Sequence, residues 1–242
     1  MPSSEAMPGK APARPKVSLI AWDPESPAHT ERMFQQRLAC GWKEDCIEDW
    51  MVLQREGKMA LQWVVLSEDD PERESRLDMH LLKYPGEAAP ILDTARAIGG
   101  KPRIPTLQSF IPVGHVSLDS EHATPGQADA SMGIYCITAL YISRALQGGG
   151  IGRATMDTVE SEAIKEPLCA KILSLDTLAN GSPNIKEMCA ESGMELPTIS
   201  NHDWYERRGY KVWKHSEGDI QHRDPNGKVW QLDRVFMKKT VA

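Results

Sequence analysis

The stretch GIYCITALYISRALQGGGIGRATMDTVESEAI, residues 133–164, decides the fold. Its first part, GIYCITALYIS, is a long run rich in β-forming residues, which predicts a strand buried on both faces of a sheet. Its last part, IGRATMDTVESEAI, has the one-turn spacing of a half-buried helix, with Ile151, Ala154 or Thr155, Thr158 or Val159, and Glu162 or Ala163. Between the two lie three consecutive glycines and a fourth at residue 152. The stretch therefore predicts a buried strand that passes through a glycine-rich loop into a helix.

This glycine-rich loop has one strong physical use. Gly148, Gly149, Gly150 and Gly152 allow a tight turn and let the backbone approach a ligand closely, because they carry no Cβ. The first turn of the following helix presents unpaired N–H groups and the positive end of the helix dipole. Such a corner favours an anion, above all a phosphate or pyrophosphate group. The alternative, a plain connecting turn, needs one glycine rather than four.

Two common glycine-loop families fit this loop poorly. A Walker A loop has Lys-Ser/Thr after its last glycine, whereas Arg153 and Ala154 follow here. A Rossmann loop lies in the first strand–helix turn of its domain, with an acidic residue about 20 residues further on. This loop lies past the middle of the chain, and the nearest acidic candidate, Asp176, is inside a predicted strand. An ATP-binding protein is thus a weak alternative.

The loop and a later segment together resemble the GCN5-related N-acetyltransferases. The acetyl-CoA loop of that family has the pattern Arg/Gln-x-x-Gly-x-Gly/Ala, which Gln147, Gly150 and Gly152 match in register. The segment LYIS ahead of the loop is similar to the family's strand end. NHDWYERRGY, residues 201–210, resembles a later family motif in which an aromatic-Tyr-Glu segment precedes Gly-aromatic. The strand-like run KILSLDTLA separates the two motifs, and the resemblance covers residues 110–240.

The resemblance implies a fold and a cofactor. The fold is α+β and sandwich-like, the acyl-CoA N-acyltransferase fold, with a mixed, mostly antiparallel central sheet and helices on both faces. Acetyl-CoA would bind as the acyl donor, with its pantetheine arm between two splayed parallel strands and its pyrophosphate on the glycine loop. The implied cofactor-binding residues are Leu140, Tyr141, Ile142, Gln147, Gly148, Gly149, Gly150, Ile151, Gly152, Arg153 and Asn180. For Asn180, a turn residue in NGSP is an equally good interpretation.

Tyr205 is the candidate general acid. By resemblance, the Tyr at this position protonates the departing thiolate of CoA. A phenol of pKa about 10 suits a thiolate of similar basicity and stays neutral at pH 7. The alternative is an aromatic side chain packed ahead of the helix-ending Gly209.

The general base stays open at this level. An ammonium group must lose a proton before its nitrogen attacks a thioester. Some relatives place His on the strand ahead of the loop, where this chain has Cys136 and Thr138. His115 and Glu121, on or just past the preceding strand, are therefore the candidate bases, with a water chain to solvent as the alternative. No covalent intermediate is expected, so Cys136 is not a candidate nucleophile.

The N-terminal half gives weaker signals. KVSLIA predicts a first strand, and residues 26–42 predict a helix with Phe34, Leu38 and Cys40 at helical spacing. A second helix is expected after Lys43, followed by a strand in the run LQWVVLSEDD, residues 61–70. The residues expected on that second helix are Ile47, Trp50, Met51 and, at its far end, Met59. Trp42, Trp50, Trp63 and Phe34 lie where the family builds the acceptor wall, although aromatics at such spacings are more often core.

Two segments look like insertions. Residues 67–104 are charged and then broken by Pro and Gly, and we expect loop there with one short helix around Ile91–Ile98. Residues 183–200 predict an extra helix and loop where the family builds its substrate lid.

Composition excludes several classes of protein. The 242 residues carry a formal charge of −6, which argues against a globally basic nucleic-acid surface. No apolar run approaches the roughly 20 residues of a membrane span, so we expect a cytoplasmic protein, with the nucleus left open. The five cysteines are scattered without a CxxC pair, which predicts free thiols and no metal site.

These observations predict a flexible tail over residues 1–16 and a single domain over residues 17–242. The domain is expected to be an acetyl-CoA-dependent N-acetyltransferase acting directly in a ternary complex, as a monomer or homodimer. Its acceptor would be a small-molecule amine or a protein amine. The alternative is a non-catalytic acyl-CoA sensor or interaction module on the same fold.

Overall fold

A seven-stranded sheet forms the centre of the molecule in the computed structural model, which describes residues 16–192, 198–224 and 227–242. The strands are β1 (Val17–Ala21), β2 (Leu61–Leu66), β3 (Gly114–Asp119), β4 (Ile134–Ile142), β5 (Ile172–Leu178), β6 (Lys211–Arg223) and β7 (Val229–Thr240). Their order across the sheet is β1-β2-β3-β4-β5-β7-β6. Neighbouring strands are antiparallel except β4 and β5, which are parallel. The predicted mixed, mostly antiparallel sheet is confirmed.

Within the described residues, six α-helices accompany the sheet. They are α1 (Pro27–Cys40), α2 (Ile47–Arg55), α3 (Arg73–Lys83), α4 (Ile151–Ala163), α5 (Pro183–Ser192) and α6 (Asn201–Arg207). Alternate residues of β2 serve two different cores, because successive side chains of a strand point to opposite faces. Trp63 belongs to the core with residues of α1 and α2, and Val64 to the core with residues of α4 and α6. Helices therefore cover both faces of the sheet, as predicted.

The two parallel strands separate partway along their length. Pairing joins Ile134–Cys136 to Ile172–Ser174 and then stops. On its other side β4 stays paired with β3 as far as Ile142, through a bulge in which Ala139 adopts a φ of 50°. The bulge adds a residue to β4 and bends it, and the two parallel strands then diverge. The result is a V-shaped opening between β4 and β5.

The segment 67–104 differs from its prediction. The short helix expected at Ile91–Ile98 is wrong, because Ile91–Leu92 pairs with Ser109–Phe110 and Ala97–Ile98 pairs with Lys101–Pro102, each in a small two-stranded sheet. Asp93 holds this segment extended by accepting hydrogen bonds from Arg103 and Thr106.

The helix in this part of the chain is α3, earlier in the same segment. Its buried residues are Arg76 and His80, so no apolar stripe marks it in the sequence. Arg76 pairs with Asp70, and His80 Nδ1 lies 2.9 Å from the Ser143 hydroxyl.

Helix α1 forms where predicted, but it buries a different face. Phe34 and Leu38 are 42% and 54% exposed. The buried side chains are His29, Arg32, Met33, Gln36 and Arg37. Some of their polar atoms find partners inside the fold, such as the Glu87 carboxylate 2.8 Å from Gln36 Nε2. The buried face of this helix is therefore mostly polar, with Met33 as its one apolar core residue.

The end of α2, the strand β6 and the N-terminal segment also differ from the prediction or extend it. α2 ends at Arg55, so Met59 lies beyond the helix and packs in the core as part of the turn into β2. β6, a long strand at the edge of the sheet, was not predicted, because most of its residues are polar and exposed. The predicted tail lies outside the described residues apart from Lys16, whose N–H donates to Asp70. Across the described chain, the helices are all too short or too polar to cross a bilayer.

Candidate functional site

The V-shaped opening is the centre of the candidate site. Beyond Cys136 and Ser174, the backbone edges of β4 and β5 turn away from each other. A strand edge freed in this way can hydrogen-bond an extended ligand as an added strand would. Leu140, Tyr141 and Ile142 lie on the β4 limb of the opening, which is where the sequence places the pantetheine arm.

The glycine loop follows directly from the β4 limb. Gly148 and Gly150 have φ of 79° and 85°, conformations that glycine adopts without strain. Gly150 is the N-cap of α4, and the first intrahelical bond runs from Ala154 N–H to its carbonyl at 3.0 Å. The N–H groups of Ile151–Arg153 therefore precede the intrahelical bonds and are available to an anion.

The loop is both anchored and open. Gln147 donates from Nε2 to the Ile142 carbonyl at 3.1 Å, which ties the loop back to the strand end. Residues 147–150 are exposed. At Gly152, an added Cβ would lie 3.8 Å from Ile142 Cγ1 and 4.0 Å from the Trp204 ring. Thus α6, which carries Trp204, closes against the start of α4 beside the loop.

Asn180 lies just past β5, at the same end of the sheet. Its backbone N–H donates to His202 Nδ1 at 3.1 Å, and its side-chain Nδ2 donates to Asp203 Oδ1 at 2.5 Å. Both partners are in the first turn of α6. In this structure Asn180 therefore links the end of β5 to the first turn of α6, the helix that carries Tyr205.

Tyr205 is buried close to the point where the strands separate. It is 8% exposed and belongs to the core that contains Ile137 and Leu175, the first residues past the paired part of β4 and β5. Burial, followed by the negative charge of Asp176, raises the pKa of Tyr205 above its ordinary value. The phenol is thus protonated at neutral pH and can donate a hydrogen bond.

The two candidate bases, His115 and Glu121, do not face the V-shaped opening as effective bases. His115 is fully buried, and its Nδ1 donates to the Ala139 carbonyl at 2.7 Å. Burial, and then the charge of Arg37, lowers the pKa of His115 to about 3, which makes it a weak proton acceptor. Glu121 is on the surface, 3.6 Å from Lys58. The structure therefore brings neither group into the opening as an effective base, although His115 supports the bulge.

A different carboxylate lies beside the split. Asp119, the last residue of β3, is 8% exposed and accepts hydrogen bonds from Ser117 and, at 2.6 Å, from Thr138 Oγ1. Burial raises the pKa of Asp119 to about 6. The sequence analysis missed this residue, although the run HVSLD places polar Ser117 and Asp119 two apart on one face of a buried strand.

The predicted acceptor wall is only partly assembled. Trp50 and Trp63 are core residues, and Phe34 points outward. Trp42, by contrast, stacks on His222 of β6 with ring centroids 4.2 Å apart. This contact joins the α1–α2 loop to the β6–β7 hairpin.

Two further features belong to this region. α5 packs on β7, with Met188 and Cys189 in one cluster with Trp230 and Leu232.

Burial also raises the pKa of the Cys136 thiol strongly, so this group is not a thiolate at neutral pH.

Comparison with known proteins rests on structure. The sequence matches no protein-family model and no curated protein. Among solved structures, Arabidopsis thaliana NAA60 in complex with a bisubstrate analogue superposes at a TM-score of 0.51 and 12% identity, over 94% of this chain and 100% of that one.

Two further solved structures superpose less closely, both at a TM-score of 0.49. One is an aminoglycoside 6'-N-acetyltransferase complexed with coenzyme A, 14% identical, with 93% of this chain and 97% of that chain covered. The other is the aminoglycoside 6'-N-acetyltransferase from Enterococcus faecium, 12% identical, with the same shares covered. With the strand order, the split of β4 from β5 and the glycine loop, the match to NAA60 shows that the chain has the fold of the GCN5-related N-acetyltransferases.

Proposed function

We propose that the chain is an N-acetyltransferase that moves an acetyl group from acetyl-CoA to a primary amine in a ternary complex. The observation that carries this proposal is the parallel pair β4–β5, which separates after three residue pairs and opens onto a glycine loop and the start of a helix. An opening with an anion site at one end suits a ligand with an extended amide chain and a pyrophosphate. Residues 17–242 would act as one domain.

The cofactor would be held largely by backbone groups. Leu140–Ile142 would pair with the amides of the pantetheine arm, and the N–H groups from Gln147 to Arg153 would surround the pyrophosphate. Coenzyme A is present in one aminoglycoside acetyltransferase structure of this fold. Asn180 would contribute by holding α6 in place.

The reaction would proceed by direct attack. The amine nitrogen forms a bond to the thioester carbonyl carbon, and the oxyanion of the tetrahedral intermediate accepts hydrogen bonds from backbone N–H groups of β4. Collapse of the intermediate breaks the C–S bond, and the thiolate takes the phenolic proton of Tyr205. The proton lost by the attacking nitrogen restores Tyr205. Tyr205 is protonated at neutral pH, as this step requires, and its raised pKa makes the phenol a weaker acid toward the thiolate than an exposed tyrosine would be.

The acceptor would enter opposite the pyrophosphate loop, where charged side chains gather. Arg234 Nη1 lies 3.5 Å from Asp176 Oδ2, and Arg234 Nε lies 3.2 Å from Asp219 Oδ1. Two carboxylates share this one guanidinium, so the neighbourhood favours a cationic acceptor. A small amine and a protein amine both fit this description.

Calorimetric titration with acetyl-CoA tests the proposal, with ATP-Mg²⁺ as the control ligand. We expect micromolar binding of acetyl-CoA, no binding of ATP, and thiol release when an amine is added. Failure to bind acetyl-CoA would overturn the proposal. Binding without thiol release from any amine would instead indicate the acyl-CoA sensor.

A further inference from the structure

Asp119 and Thr138 form a hydrogen-bonded pair across two strands of the sheet. Thr138 lies on β4 directly opposite Ser117 of β3, so both side chains share one face with Asp119. Thr138 Oγ1 donates to Asp119 Oδ2 at 2.6 Å, and Ser117 donates to the other carboxylate oxygen. The carboxylate is thereby fixed in orientation, with Thr138 on the side of the split.

Thr138 is placed to reach a ligand in the V-shaped opening. It lies two residues beyond Cys136, where β4 and β5 stop pairing, and immediately ahead of the bulge at Ala139. Unlike Asp119, it is only half-buried. Asp176, which occupies the corresponding level of β5, lies across the opening.

We propose that Thr138 and Asp119 form the relay that removes a proton from the acceptor amine, an inference that rests on the proposed acetyl transfer. Thr138 is the catalytic residue, because its hydroxyl touches the amine. Asp119 acts through Thr138 as a positioning residue and final proton acceptor.

The relay step balances in atoms and charge. The bound ammonium gives one proton to Thr138 Oγ1 while the Thr138 hydroxyl proton passes to Asp119 Oδ2. The products are a neutral amine, an unchanged Thr138 and a neutral Asp119 carboxylic acid. The nitrogen lone pair is then free to attack the thioester, and Asp119 returns its proton to solvent after product release.

The surroundings of Asp119 suit this task. Burial raises its pKa to about 6, close enough to neutral pH for a reversible proton acceptor. The ionisable groups that face it are Lys43 of the α1–α2 loop, whose charge lowers the pKa, and the un-ionised Cys136 of β4. The hydrogen bonds to the Asp119 carboxylate come from Ser117, Thr138 and the backbone of Ala60.

Another residue in this region is less suited. His122 Nδ1 accepts a hydrogen bond from the Thr124 N–H at 3.0 Å. Its lone pair is therefore occupied in the neutral form, and burial lowers its pKa.

The test is thiol release from acetyl-CoA as a function of pH. The acceptor panel is spermidine, kanamycin, a peptide with a free N-terminus and a lysine peptide with blocked termini. With the best of these amines, we expect kcat of the wild type to fall below about pH 6. Asp119→Asn and Thr138→Val should each lower kcat by about 100-fold, remove this acid limb, and leave the acetyl-CoA affinity from calorimetry unchanged.

Three matched variants separate a relay from a merely structural contact. Thr138→Ser keeps the hydroxyl and should restore both rate and acid limb. Ser117→Ala removes a donor to the carboxylate and should move the acid limb to higher pH. Glu121→Gln changes a nearby exposed carboxylate and should match the wild type.

The outcomes distinguish the relay from the proposed function. If wild type transfers acetyl but Thr138→Val and Asp119→Asn keep the rate and the acid limb, the relay is wrong and the acetyltransferase stands. If the wild type releases no thiol with any amine of the panel, the proposed function falls and the relay falls with it.

Discussion

Gly150→Glu separates cofactor binding from folding at the glycine loop. Gly150 has a φ of 85°, which a residue with a Cβ adopts at a cost of about 1–2 kcal/mol. The side chain would project from an exposed N-cap, so it meets no packed core. Since domains are stable by roughly 5–15 kcal/mol, the variant should fold.

The effect on acetyl-CoA should be much larger. A carboxylate about 5 Å from one phosphate charge, at an effective dielectric of about 20, costs about 3 kcal/mol. That energy corresponds to a loss of affinity of about 100-fold or more, and the second phosphate and the bulk of the side chain add to it. Calorimetry with acetyl-CoA measures the affinity, and thermal unfolding measures the stability.

Two controls isolate the cause. Gly150→Ala carries the backbone strain without the charge, and should lose less affinity than Gly150→Glu. Gly99→Glu places the same side chain at another exposed glycine of positive φ, 53°, in the hairpin of residues 97–102, and should bind acetyl-CoA like the wild type. A folded Gly150→Glu protein with wild-type affinity would refute the assignment of the loop.

Single substitutions at Tyr205, Glu160 and Asp119 each remove one group whose effect can be measured. Tyr205→Phe should lower kcat by about 100-fold with acetyl-CoA affinity intact, since only the proton donor is lost. Full activity of this variant in steady-state kinetics would show that Tyr205 has a packing role only. Glu160→Gln should destabilise the fold by about 2 kcal/mol in urea denaturation, because Lys239, Arg208 and Tyr210 all bond to this carboxylate. A change below about 0.5 kcal/mol would show that the cluster is solvated. Asp119 has a raised pKa of about 6 in the fold, so its contribution to stability is present below about pH 4 and is lost as the pH rises through 6. Relative to wild type, Asp119→Asn should therefore gain up to about 3 kcal/mol between pH 4 and pH 7 in pH-dependent unfolding, and a constant difference would contradict the buried charge.

Local sequence patterns predicted several elements of the fold correctly. The strand at residues 134–142, the glycine loop and the helix after it form where residues 133–164 predict them, because periodicity and glycine conformation are properties of neighbouring residues. The helix at residues 201–207 follows equally from a local motif, with Ser200 accepting from the Asp203 N–H as its N-cap.

The sequence does not predict which face of a helix is buried when the buried side chains are polar. α1 turns Arg32, Gln36 and Arg37 inward and leaves Phe34 and Leu38 outside. α3 likewise has no apolar stripe. A hydrophobic pattern cannot show such faces, because their partners, such as Glu87 and Ser143, lie more than fifty residues away in the chain.

The sequence alone therefore predicted the order of elements between residues 133 and 207, the glycine loop as a candidate anion site and Tyr205 as a candidate acid. Only the tertiary structure decided which groups surround the split between β4 and β5. It buried His115 as a neutral support for the bulge, left Glu121 at the surface, and set Asp119 against Thr138. The physical reason is that proton affinity depends on burial and on partners from other strands, and neither is written in the local sequence.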